Sequence, residues 1–131
     1  MSTPQKPPTG SIVWADLTVP DAGPISEFYR EVVGWNPEGV AMGDHEDYSM
    51  LPPGGGEPQA GICHARGVNR DLPPQWLLYV TVGDIQAAAR RCRELGGSVL
   101  AGPRATMGGT YCVIRDPAGA VMALLEQGEG T

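Results

Sequence analysis

Hydrophobic and polar positions alternate with period two over residues 11–19, where Ile12, Trp14, Asp16 and Thr18 share one face and Val13, Ala15, Leu17 and Val19 the other. Residues 75–82 repeat the pattern, with Leu77, Tyr79 and Thr81 opposite Trp76, Leu78, Val80 and Val82. Both stretches predict strands that run into an aspartate, Asp21 or Asp84, a residue suited to open a helix. The period then lengthens to that of a helix. Ile25, Phe28, Tyr29 and Val32 fall on one face of the first, and Ile85, Ala88, Cys92 and Leu95 on one face of the second. Gly34 and the pair Gly96-Gly97 end them. Three short strands follow in the second half, near residues 98–100, 110–114 and 121–125, with Asp116-Pro117-Ala118-Gly119 as the last turn. Their weaker counterparts lie near 39–42, 47–51 and 59–63, parted by a proline- and glycine-rich break over 52–58.

The two halves are copies. A shift of 63 residues aligns Thr18, Val19, Asp21, Arg30, Glu31, Gly34, Gly39, Tyr48, Gly56 and Ala60 with identical residues, ending at Ala123. Ten identities in about fifty positions exceed the roughly four that composition alone supplies. The expected fold class is therefore α+β: one domain over residues 11–126 made of two tandem βαβββ modules, 11–64 and 75–126, with a linker at 65–74. Residues 1–10 and 127–131 lack apolar periodicity and read as loose tails.

Composition narrows the function. A chain of 131 residues with 41% hydrophobic and 18% charged positions is one ordinary globular domain. Its net charge of -6 and pI near 4.7 argue against a nucleic-acid partner. No apolar run approaches the roughly 20 residues that span a bilayer, and the polar, proline-rich start is unlike a signal sequence, so a cytoplasmic location with no membrane partner is expected. Three cysteines without CxxC spacing suggest neither a disulfide framework nor a thiolate zinc site.

The order strand, aspartate, Phe28-Tyr29, Gly34-Trp35, second strand, aspartate, helix, Gly-Gly, and finally Arg115-Asp116-Pro117-Ala118-Gly119 resembles the vicinal oxygen chelate superfamily. That group holds glyoxalase I, extradiol dioxygenases, fosfomycin-resistance enzymes and bleomycin-resistance proteins, and the resemblance covers about residues 11–126. It implies that each module curls its part of a mixed sheet into half of a cup. It also implies metal-ligand slots on the first and last strands of each module, which fall here at Trp14, Ala60, Leu77 and Ala123. Indole and aliphatic side chains offer no usable lone pair, so no metal and no cofactor is expected in those slots.

A cup lined by Trp14, Ala60, Leu77, Tyr79 and Ala123 is apolar and aromatic, with Asp16 as its main charged anchor. His64 and Met107 are candidates for its rim, Tyr111 for a further contact, and Met42 and Met50 for adaptable ones. Trp14 either stacks on a ligand or plugs the cup, Asp16 either works there or faces solvent, and Tyr48 and Tyr111 lie on strands whose faces the pattern leaves open. His45, within Gly43-Asp44-His45-Glu46-Asp47, reads as solvated loop charge. Gly54-Gly55-Gly56 lacks the lysine of a phosphate loop, and residues 102–109 read as a mobile rim.

The resulting expectation is metal-independent binding and sequestration of a hydrophobic, aromatic small molecule such as an antibiotic or natural product, with no catalytic residue. The alternative is a glyoxalase- or dioxygenase-like enzyme of the same fold, a lyase or isomerase, that uses Asp16 as acid-base group or an unconventional metal site. The resemblance further implies a homodimer, and the composition suits a bacterial source.

Overall fold

The computed structural model describes residues 6–106 and 108–128. The elements run β1 (Ile12–Val19), α1 (Ala22–Val33), β2 (Asn36–Ala41), β3 (Glu46–Leu51), β4 (Ala60–His64), a 3-10 turn (Gly67–Asn69), β5 (Trp76–Thr81), α2 (Ile85–Glu94), β6 (Ser98–Thr106), β7 (Gly109–Arg115) and β8 (Val121–Gln127). Mixed α+β secondary structure in the order βαβββ, twice, is what the pattern predicts. Contacts divide the chain into two compact units, one of Trp14–Leu77 and one of the residues through Val13 with those from Leu78 onward. No helix among the described residues is long and apolar enough to cross a membrane.

In the first unit the strand order is β2-β3-β4-β1, antiparallel except for the parallel β1–β4 pair. Pro37 is tolerated in β2 because that strand has a neighbour on one side only. α1 ends at Gly34, whose φ of 90° is left-handed and whose N–H donates to the Arg30 carbonyl at 3.0 Å. The helix packs on Leu17, Val19, Met50 and Ile62 through Ala22, Ile25 and Tyr29. Its buried stripe is built from small residues, Ala22 and Ser26, which bring the helix close to the sheet. Phe28 and Val32, expected on that stripe, lie outside it and are 54% and 65% exposed.

The second unit has order β5-β8-β7-β6, with β5 and β8 parallel. α2 starts at Asp84, whose Oδ1 accepts the Ala87 N–H at 3.0 Å, and ends before Gly96, φ 95°. It covers Cys112 and Leu124 with Ile85 and Ala89. β6 continues to Thr106, so most of the expected mobile rim is strand, while Met107 lies outside the described residues. Residues 8–10, expected in a loose tail, are tied down: Gly10 N–H donates to the Thr81 carbonyl at 2.8 Å and Thr81 Oγ1 to that of Pro8 at 3.0 Å. Residues 1–5 and 129–131 of the two expected tails lie outside the described residues.

The constant spacing of 63 holds at β1 and β5 and then breaks. Ladder partners match Asp16 with Tyr79, but Gly61 with Ala123 and Ser49 with Val113, spacings of 62 and 64. Two register shifts in β6 and a shorter last hairpin, residues 116–120 against 52–59, account for the change. A slip of one residue reverses the face of every side chain on a strand. Met50 and Ile62 therefore pack under α1, whereas under α2 the corresponding layer is Cys112 and Leu124. Tyr48 and Tyr111, aligned by sequence, point to opposite faces: the Tyr48 hydroxyl lies 3.5 Å from where a Cβ on Gly23 of α1 would stand. Met50, expected to touch a ligand, is fully buried in this core, and Met42 is exposed.

Candidate functional site

The face of the first unit turned away from α1 carries Trp14, Asp16 and Thr18 on β1, and the parallel register sets Gly61 beside Asp16 and Cys63 beside Thr18. Gly61 is required there by close approach. A Cβ at this position would collide with Oδ1 of Asp16 and lie 3.4 Å from the Trp14 ring. Ala60, the expected cup residue, is the neighbour that points the other way; it pairs with Met50 and is 3% exposed, because the one-residue slip puts it on the α1 side. Gly61 takes its place.

Cys63 Sγ lies 3.5 and 3.6 Å from the two carboxylate oxygens of Asp16 and donates its proton to them. Burial first, then the negative charges of Asp16 and Asp47, push this thiol far above its ordinary range, so it is a proton donor and not a nucleophile at neutral pH. A second carboxylate, Asp47 of β3, closes the row. Its Oδ1 accepts the His64 backbone N–H at 2.9 Å and lies 3.3 Å from His64 Nδ1 and 3.5 Å from His45 Nε2. His45, read as solvated loop charge, is instead brought in by a turn in which Met42 N–H donates to its carbonyl at 2.8 Å, leaving its side chain 17% exposed. Its Nδ1 is 2.7 Å from Asp44 Oδ1, and that contact, followed by the charge of Arg66, holds the Asp44 carboxyl below its usual range.

In the second unit the face turned away from α2 carries Tyr79, Ala123, Val113 and Tyr111, since Tyr79 pairs with Ala123, Ala123 with Val113 and Tyr111 with Leu125. The Tyr79 and Tyr111 rings stand 6.4 Å apart at 40°. Ala123 is fully buried. Leu77, at the end of the first unit, is 1% exposed, and Trp76 beside it belongs to an aromatic cluster with Tyr29 and Trp35, donating from Nε1 to the Tyr29 hydroxyl at 3.1 Å. Periodicity missed Gly61, Cys63 and Asp47 as functional neighbours. The signal was the i, i+2 spacing of Gly61 with Cys63, which places that pair on one face of β4.

The profile of the Glyoxalase/Bleomycin resistance protein/Dioxygenase superfamily matches residues 11–124. The chain belongs to this family. It is 32% identical over 121 residues to the anthracycline biosynthesis protein DnrV of Streptomyces peucetius, covering 92% of this chain and 43% of that protein. To CFP32 of Mycobacterium tuberculosis (strain CDC 1551 / Oshkosh), provisionally named a glyoxylase, it is 29% identical over 119 residues, 90% of this chain and 44% of that one. The chain thus spans less than half the length of these curated relatives. Among solved structures, Streptomyces coelicolor methylmalonyl-CoA epimerase in complex with 2-nitronate-propionyl-CoA superposes with a TM-score of 0.57 at 17% identity, covering 92% of this chain and 99% of that one. This likeness shows the fold. The family's metal does not fit the strand slots of this chain: Trp14, Leu77, Ala123 and Gly61, the residue that stands for Ala60, supply no oxygen or imidazole donor.

Proposed function

We propose that this chain binds and sequesters a flat, hydrophobic small molecule of the antibiotic or natural-product class, with no metal in the strand slots. The observation that carries this reading is the Trp14 ring packed beside the Asp16 carboxylate, the two meeting over Gly61 on the face away from α1. An indole on this face gives a planar ligand a stacking surface, worth about 0.5–1.5 kcal/mol beyond the apolar area it covers. Asp16 then anchors a hydroxyl or cationic group of the ligand through a charge-assisted hydrogen bond. Relatives named for anthracycline biosynthesis support a ligand of this class.

A second reading rests on the Cys63–Asp16 contact. A carboxylate that already accepts a proton-bearing thiol is placed to take a proton from a bound substrate, which is acid-base catalysis by Asp16. The two readings part on one experiment. Tryptophan quenching by an anthracycline should yield a saturable curve, weakened about tenfold by Trp14→Ala, a change of about 1.4 kcal/mol. Asp16→Asn leaves bound ligand chemically unchanged under the sequestration reading and abolishes turnover under the catalytic one. Equal affinity of wild type and Trp14→Ala would remove the binding reading.

A further inference from the structure

His45, Asp47 and His64 meet where β3 begins and the antiparallel β4 ends. We propose that these three residues form a binding site for a divalent first-row transition-metal ion, of which zinc is the representative, apart from the strand slots of the family. One donor atom from each residue lies within 4.8 Å of the others. His64 Nδ1 is 3.3 Å and His45 Nε2 3.5 Å from Asp47 Oδ1. A tetrahedral ion with bonds of ~2.0–2.2 Å sets its ligand atoms ~3.3–3.6 Å apart, so these two gaps already have the width of a coordination edge.

The donor chemistry selects the ion. Two imidazoles with one carboxylate favour zinc and its neighbours over calcium or magnesium, which take oxygen sets. Three protein ligands leave a fourth position for water or for a heteroatom of a bound molecule.

The surroundings orient the ligands as a metal requires. His45 Nδ1 lies 2.7 Å from Asp44 Oδ1, and an Nδ1–H donated to that carboxylate leaves the Nε2 lone pair turned toward Asp47. Such an outer carboxylate fixes the tautomer and raises the basicity of a ligating histidine. Arg66, 3.1 Å from Asp44 Oδ2, holds the carboxylate in turn. On the inner side, the His64 backbone N–H fixes Asp47 Oδ1 at 2.9 Å and leaves the carboxylate further lone pairs for an ion. The two imidazole rings stand edge to face at 5.3 Å. Side-chain exposures of 17%, 13% and 21% for His45, Asp47 and His64 describe a shielded cluster that an ion can still reach. At the matching ladder positions the second unit has Gly109, Tyr111 and Glu126, so the cluster belongs to the first unit alone.

Titrating the chelator-treated full chain with zinc chloride by calorimetry tests the site without any organic ligand, and so stands or falls separately from the proposed function. One ion per chain is expected. His45→Ala and His64→Ala should each weaken binding at least about 100-fold, and Asp44→Asn about 10–100-fold, while Trp14→Ala leaves it unchanged. Cobalt(II) in the same site should give the intense visible bands of a tetrahedral ion, lost in His64→Ala. Since His45 precedes β3 and its removal breaks no strand pairing, His45→Ala decides the matter even if His64→Ala fails to fold. No saturable binding, or saturable binding that His45→Ala leaves within about twofold, would overturn the site.

Discussion

The two units share a scaffold and differ in chemistry. At matching ladder positions on the face away from the helix, the first unit has Asp16, Asp47 and Cys63 where the second has Tyr79, Tyr111 and Leu125. Two carboxylates and a thiol thus stand opposite two phenols and an aliphatic chain. The helix-facing layers, by contrast, do the same job in both units: Leu17, Met50 and Ile62 under α1, Cys112 and Leu124 with Val82 under α2. Duplication kept what folds the unit, the apolar layer and the glycine that ends each helix, and let the opposite face diverge. Charge is affordable on that face of the first unit because each group has a partner: Cys63 donates to Asp16, and His64 to Asp47.

Four experiments probe the difference between the two units. The largest effect should come from the layer under α1. Met50→Ala removes a fully buried side chain and is expected to cost about 2–5 kcal/mol in chemical denaturation. A neutral result would mean that the face assignment, and with it the slip between the units, is wrong. Next comes the close approach at Gly61 on the opposite face. Gly61→Val drives a branched side chain into Asp16 and Trp14, and ligand affinity measured by quenching should fall at least about tenfold, whereas Ala60→Gly should lower stability by about 0.5–1 kcal/mol and leave affinity alone.

A smaller difference is expected between the aromatic groups of the two units. Tyr79→Phe on the second unit should change ligand affinity by less than about threefold, against the roughly tenfold loss of Trp14→Ala. The smallest effect is a slope. Burial raises the thiol of Cys112 to about 11, while at Cys63 burial joins the charges of Asp16 and Asp47 to raise it further. Folding therefore protects both thiols from ionising. Their contribution is fully present below the unfolded thiol pKa of ~8.5 and is lost as pH rises above it. Stability measured from pH 8.5 to 10 should fall, and Cys63→Ala should flatten that fall. An unchanged slope in the variant would place Cys63 in water.

Much of this was legible in the chain. Alternation located β1 and β5, Asp84 capped α2 through its side chain while Asp21 stands at the start of α1 without such a bond, and Gly34 and Gly96 closed the helices, because these signals are local. The face of β4 was not legible. Ala60 and Ala123 match by sequence spacing, yet the hydrogen-bonded ladders place Gly61 beside Asp16 and Ala123 beside Tyr79. Register belongs to pairing between strands, and bulges in β6 left no mark in the identities that span them. The cluster of His45, Asp47 and His64 was hidden for a related reason. The antiparallel pairing of β3 with β4 joins two histidines that lie far apart in sequence.

Heteronuclear NMR of the three tryptophan indole N–H groups during titration with an anthracycline locates the bound ligand, because Trp14 borders the charged face while Trp35 and Trp76 lie in the aromatic cluster beside Tyr29. The Trp14 resonance is expected to shift in a saturable way and those of Trp35 and Trp76 to stay in place. Binding that moves Trp35 or Trp76 and leaves Trp14 unshifted would contradict it.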